Sequence, residues 1–284
     1  MKTKLKLLAL ALLLIPALKT FSQDKKFYIF LSFGQSNMEG NARVRPEDTV
    51  NIDSRFQVME AVDCPNLNRK KGQWYTAVPP LCRCRTGLTP TDFFGRTMVA
   101  NLPADVRVGI INVSVGGCKI ELFDKDNYQS YVEKAPAWML GMIKEYDGNP
   151  YQRLLEMAKL AQKDGIIKGI LLHQGESNPN DSLWTKKVKL VYDNLLKDLK
   201  LNAKKVPLLA GETVNADQRG ICAGMNKIIA TLPQMIKNSY VISSAGCPAA
   251  GDNLHFNAEG YRMFGKRYAE QMLTLLGVKV KTTE

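Results

Sequence analysis

The stretch Phe27-Tyr28-Ile29-Phe30-Leu31-Ser32-Phe33-Gly34-Gln35-Ser36-Asn37-Met38-Glu39-Gly40 carries the first clue to the architecture. Its first seven residues are almost continuously apolar, the pattern of a strand covered on both faces. A glycine then allows a tight turn, and Ser36 follows where the strand gives way to a helix. Four further runs read the same way, at 106–113, 166–173, 206–211 and 240–243. Between them lie amphipathic stretches of helical spacing at 91–101, 150–163, 182–200, 220–232 and 257–276. In the last of these Asn257 suits the N-cap, Glu259 falls in the first turn and Gly277 follows the end. Strands alternating with helices of crossover length imply a mostly parallel sheet between two helix layers, a three-layer α/β/α sandwich.

The chain has 284 residues, 45% hydrophobic and 23% charged, with 21 glycines and 13 prolines. That is enough for a full core, and it excludes disordered, collagen-like and coiled-coil classes. Residues 1–22 read as a cleavable export signal. Lys2, Lys4 and Lys6 precede an apolar run at 7–18, and Thr20 and Ser22 are the small residues a signal peptidase reads. The apolar run is too short to span a bilayer, which takes roughly 20 residues. The expectation is one mature domain over 23–284, periplasmic or secreted, with no membrane span and no cysteine at the cleavage site to carry a lipid. The leader holds four lysines and no acid, so its removal lowers the formal charge from +12 to +8. The remaining lysines are spread along helix-like stretches without interleaved aromatics, the pattern of a solvated face and not of a nucleic-acid partner.

All six cysteines follow the leader: Cys64, Cys82, Cys84, Cys118, Cys222 and Cys247. An even number in an oxidising compartment favours disulfides. The expected pairs are Cys64 with Cys82 or Cys84, and Cys222 with Cys247. Cys82-Arg83-Cys84 lacks zinc spacing, and no metal is expected. Segment 43–89 holds Pro46, Pro65, Pro79 and Pro80 and no sustained period, so it reads as a loop insertion, a lid or substrate-binding segment.

In open α/β sheets, ligands bind beyond the carboxyl ends of the strands. Four such ends carry unusual polar residues: Gly34-Gln35-Ser36-Asn37, Ser114-Val115-Gly116-Gly117, His173-Gln174-Gly175-Glu176-Ser177-Asn178 and Asp252-Asn253-Leu254-His255. The chain has only two histidines, His173 and His255. A serine nucleophile needs a base that titrates near neutrality, which histidine supplies. Asp252, three residues before His255, can fold back onto the imidazole Nδ1–H and set its tautomer. Ser36 sits on a turn that exposes its hydroxyl. A phosphate cradle at the same turn is disfavoured, because the Gly-x-Gly-x-x-Gly spacing and a neighbouring lysine are missing.

At these residues the sequence resembles the SGNH/GDSL-like hydrolases, and more narrowly the sialate O-acetylesterase-related domain and the sixth carbohydrate esterase family. The resemblance rests on the Gly-Gln-Ser-Asn-Met block at 34–38, Gly116-Gly117, the Gln-Gly-Glu block at 174–176 and Asp252-x-x-His255. It implies a flavodoxin-like fold, Ser36 as nucleophile, His255 as base and Asp252 as its acidic partner. Glu176 is the alternative acid. The oxyanion hole it implies comprises the Ser36 N–H, the N–H of Gly117 or Gly116, and the side-chain amide of Gln174; His173 would be a positioning residue. The implied substrate is an acetylated carbohydrate, acetylxylan or an O-acetylated sialic acid, and no cofactor is needed. Trp74, Tyr75, Phe123, Tyr128, Tyr131 and Trp138 are candidates to face the sugar. A non-catalytic glycan-binding module and a general short-chain esterase or lipase remain the alternatives.

Overall fold

The computed structural model describes residues 23–280, so the leader read at 1–22 lies outside the described residues. The strands are β1 (Asp24–Gly34), β2 (Phe56–Met59), β3 (Trp74–Thr76), β4 (Arg107–Ser114), β5 (Gly165–His173), β6 (Leu208–Gly211) and β7 (Ser239–Ile242). The helices are α1 (Ser36–Glu39), α2 (Pro90–Asn101), α3 (Tyr128–Val132), α4 (Ala137–Glu145), α5 (Pro150–Ala161), α6 (Trp184–Asp198), α7 (Asn226–Ile229), α8 (Leu232–Met235) and α9 (Ala258–Leu275). One sheet forms in the order β3-β2-β4-β1-β5-β6-β7. Every pairing is parallel except that of β2 with β3. The expected α/β/α sandwich is the observed one.

Alternation along β1 divides the core. Phe27, Ile29, Leu31 and Phe33 face Leu154 and Met157 of α5 and Trp184, Val188 and Leu195 of α6. Phe30 points the other way, among Phe94 and Met98 of α2 and Phe264 and Tyr268 of α9. Each such fully buried side chain contributes about 1.5–3 kcal/mol. The register also aligns the strand ends: Gly34 pairs with Ser114 on one side and with His173 on the other. A Cβ at position 34 would lie 2.0 Å from the His173 carbonyl oxygen, so a glycine is needed to keep β1 and β5 paired to their tips. The loops after β1, β4 and β5 therefore leave the sheet side by side.

Segment 43–89, expected to be a loop, contains regular structure. It supplies β2 and β3 to one edge of the sheet, β2 pairing with β4 from Phe56↔Val108 to Val58↔Ile110. Inside it the Arg69 guanidinium donates to Glu60 (2.7 Å) and to the Val78 and Pro80 carbonyls. A disulfide joins Cys64 to Cys84. The pairing expected between Cys222 and Cys247 does not form; both are free, as are Cys82 and Cys118. The helix expected over 220–232 is broken into a 3-10 turn, α7 and α8. Asn226 is diverted to bond Thr213, and Pro233 restarts the helical turn. Asn257 caps α9 as expected, accepting from the Gly260 N–H.

Candidate active site

Ser36 opens α1, one residue after Gln35, whose backbone N–H donates to the His173 carbonyl at 3.0 Å. Its hydroxyl lies 2.8 Å from His255 Nε2. Across the ring, His255 Nδ1 lies 2.6 Å from Asp252 Oδ2. The second carboxylate oxygen of Asp252 accepts from the backbone N–H groups of Leu254 and His255, each at 3.0 Å. This arrangement sets the tautomer: Nδ1–H donates to Asp252, and Nε2 accepts from the Ser36 hydroxyl. Burial opposes ionisation of Asp252, but the His255 backbone N–H and imidazole, with the Leu254 N–H, outweigh it and hold its pKa at about 2. A hydroxyl aimed at a neutral imidazole that is backed by a carboxylate is equipped for acyl transfer.

Glu176 stands elsewhere. Its Oε1 accepts from Asn37 Nδ2 at 2.6 Å, and its other oxygen is buried without a partner among the described residues. The carboxylate on the imidazole is Asp252. His173 is fully buried, with Nε2 donating to the Glu212 carbonyl at 2.9 Å and Nδ1 3.6 Å from Glu176. Asn37, which sequence reading left without a role, joins the two regions. Its amide also donates to the Leu254 carbonyl (3.1 Å), and its oxygen accepts from the Phe256 N–H (3.2 Å) and the Tyr261 hydroxyl (2.8 Å). Asn37 thus grips the loop that carries His255.

Two of the expected oxyanion donors are spent on other acceptors. The Gln174 amide is fully buried and donates to Asn178 Oδ1 (2.7 Å), Gln35 Oε1 (3.1 Å) and the Cys118 carbonyl (3.3 Å). Its oxygen accepts from Trp184 Nε1. Gln174 braces the loop and does not present its amide to Ser36. The Gly116 N–H donates to Glu39 Oε1 at 3.1 Å. The N–H groups of Ser36 and Gly117 have no acceptor among the described residues.

Of the aromatics expected to face sugar, Trp74 lies far from Ser36. It packs on Phe27 at the start of β1 and donates to Asp164, just before β5. The Tyr75 hydroxyl accepts from the Lys70 N–H, and Phe123 is buried against Phe33. Trp138 is 60% exposed, with its ring over Gly117. With Tyr131 and Lys134 it lines a cavity of about 550 Å³ that reaches Gly117. A second cavity, of about 460 Å³, is lined by His255, Arg43 and Arg45.

A parallel sheet that brings a serine hydroxyl and an imidazole together at its carboxyl rim is the layout of an SGNH-type hydrolase. The family model described as carbohydrate esterase, sialic acid-specific acetylesterase, matches residues 26–274, and the chain belongs to that family. It is an esterase that acts on carbohydrate acetyl esters. Solved structures share the fold. A protein from Arabidopsis thaliana is 20% identical with a TM-score of 0.66, over 87% of this chain and 98% of that one. NanS is 14% identical with a TM-score of 0.63, over 90% and 99%. A carbohydrate acetylesterase from Xanthomonas citri is 17% identical with a TM-score of 0.57, over 86% and 55%.

Proposed function

We propose that the chain removes acetyl groups from sugars through an acetyl-enzyme on Ser36. His255 takes the Ser36 proton as Oγ attacks the ester carbonyl, and Asp252 stabilises the imidazolium. The oxyanion forms against the Ser36 and Gly117 N–H groups. His255 then gives the proton to the departing sugar oxygen, leaving acetate esterified to Ser36. Water attacks that ester with His255 again as base, which releases acetate and restores the serine. The observation that carries this reading is the 2.8 Å approach of Ser36 Oγ to His255 Nε2, on a ring already held by Asp252.

The same chemistry bears on the sugar. Its oxygen must lie within reach of His255 Nε2, so the sugar departs past His255, where Arg43 and Arg45 line the cavity. Arg43 has no acidic partner among the described residues. Arg45 lies 3.7 Å from Glu47, so it is the unpaired Arg43 guanidinium that favours a carboxylated sugar, an O-acetylated sialic acid, over neutral xylan. Export to an oxidising compartment agrees with the Cys64–Cys84 disulfide. Acetate release is expected to be faster from an O-acetylated sialic acid than from acetylated xylan. On a chromogenic acetate ester, Ser36→Ala should be slower by roughly 10³-fold or more. A Ser36→Ala variant as fast as wild type would end the acetyl-enzyme reading; preference for xylan would end the acidic-sugar reading. N-terminal sequencing of exported protein should begin at Gln23.

A further inference from the structure

The carboxylate of Glu39 takes no part in the proton relay, yet it lies against the loop that offers the Gly117 N–H. Its Oε1 accepts from the Gly116 N–H at 3.1 Å. A Cβ on residue 116 would lie 2.7 Å from Glu39 Oε2, so the glycine lets the carboxylate lie flat against the peptide. The neighbouring groups are held as well. Val115 N–H donates to the Gly34 carbonyl (3.1 Å), Cys118 N–H to the Val115 carbonyl (3.2 Å), and the Ser177 hydroxyl to the Gly117 carbonyl (2.9 Å). Of these successive amides only that of Gly117 is left unspent.

Such a carboxylate is costly next to a site where negative charge develops, since like charges oppose each other strongly away from water. Arg83 meets that cost. It is buried and bonds Glu39 Oε1 through one guanidinium nitrogen and Glu145 through another. Its backbone is clamped on both sides. Cys84 is in the disulfide with Cys64, and the buried Cys82 thiol lies against the Ser114 carbonyl and the Tyr146 hydroxyl.

We propose that Glu39 and Arg83 are positioning residues for oxyanion stabilisation. Glu39 ties the Gly116-Gly117 loop to the helix that carries Ser36, and Arg83 cancels the charge of that tie. The inference rests on the reading that Ser36 and Gly117 N–H groups receive the oxyanion. Glutamine at 39 keeps the acceptor for Gly116 without the charge; alanine removes both.

The test measures kcat and KM on a chromogenic acetate ester for wild type, Glu39→Ala, Glu39→Gln, Arg83→Met and the Glu39→Gln/Arg83→Met double variant. Hydrogen exchange of the peptide spanning 114–118 is followed in each. Glu39→Ala should lose roughly 10–100-fold in kcat with KM within about twofold, and should lose protection at Gly116. Glu39→Gln should keep at least about a third of kcat and the protection, since the acceptor remains. Arg83→Met, which strands the carboxylate, should lose roughly 10–100-fold, and the double variant should recover to within about threefold of Glu39→Gln. A role confined to the buried ion pair would make glutamine as harmful as alanine and leave Arg83→Met without rescue; either result overturns the inference. So does unchanged protection of Gly116 in Glu39→Ala. That readout needs no turnover, so a wild type inactive on acetate esters would defeat the acetylesterase reading and leave this one to be judged by exchange.

Discussion

Replacing Asp252 by asparagine preserves shape and changes one oxygen into a hydrogen-bond donor. The side chain then has a choice. With its remaining oxygen on the Leu254 and His255 N–H groups, its NH₂ faces His255 Nδ1 across the present 2.6 Å contact. The imidazole must then present a lone pair at Nδ1 and carry its proton on Nε2, where it cannot accept the Ser36 proton. Flipping the amide restores the useful tautomer but leaves two backbone N–H groups facing a donor. Each unsatisfied N–H costs about 1–3 kcal/mol, and Asp252 is exposed enough for water to hold the sum near the lower half, about 2–4 kcal/mol. The loss in kcat should therefore fall between roughly 10² and the 10⁴ (about 5.5 kcal/mol) of a fully wrong tautomer. The carboxylate is held at about 2, so in wild type it stays ionised across the working range and the deficit should not shrink on mild acidification. Glu176→Gln keeps the acceptor for Asn37 and should lose less than about tenfold. Initial rates on a chromogenic acetate ester, with folding checked by circular dichroism, decide the matter. A Glu176→Gln loss larger than that of Asp252→Asn would refute the assignment of Asp252 as the partner of His255.

Gln174→Met should act on stability. It strips partners from Asn178, Gln35, Cys118 and Trp184, and urea unfolding should show a loss of about 2–4 kcal/mol with kcat within about tenfold. A loss of roughly 10²–10³ in kcat at unchanged stability would restore Gln174 as an oxyanion donor. Asp92 offers a pH test of stability. Burial raises its pKa from 3.8 to about 7, against the pull of the Thr89 N–H and Arg96. The folded chain thus holds a proton that the unfolded chain releases, so this group makes stability fall as pH rises from about 4 to about 7. Asp92→Asn should flatten that slope in urea unfolding followed across the same window; an unchanged slope would assign it to other groups.

What was readable in the sequence follows from range. The run at 27–33 announces a central strand because both its faces are buried and every residue says so. The polar blocks after the strands announce a site because the topology brings strand ends to one rim whatever the side chains do. Residues 56–59 and 74–76 gave no such signal. They are strands of four and three residues at an edge, too short for a period, and they exist because β4 offers a partner. The pairing of Cys64 with one of two neighbours was legible because the separation is short; the absence of a bond between Cys222 and Cys247 depends on tertiary distance alone. The bonds that occupy the Gln174 amide were hidden from the sequence for a similar reason. Its three acceptors come from Gln35, Cys118 and Asn178, on three different loops, and no spacing in the chain foretells their meeting.

The four residues of α1 show why so short a block carries so much of the site. Ser36 supplies the hydroxyl, and its own N–H stays unspent. Asn37 reaches one way to the Leu254 carbonyl and the Phe256 N–H, fixing the loop that presents His255. The Met38 carbonyl accepts from Asn112 Nδ2 at 2.8 Å, which seats the turn on β4. Glu39 reaches the other way to Gly116. The loop that carries the base and the loop that offers the Gly117 N–H are distant in sequence, and each is referenced to the nucleophile by a side chain one or three residues away from it. Small motions of the two outer loops relative to each other therefore need not disturb the distances from Ser36 to either. An acyl-transfer site is sensitive to misplacements of about 1 Å, which can cost 10²-fold. Referencing both loops to one short turn limits that error, and it places the tightest constraints on Asn37 and Glu39, beside the nucleophile.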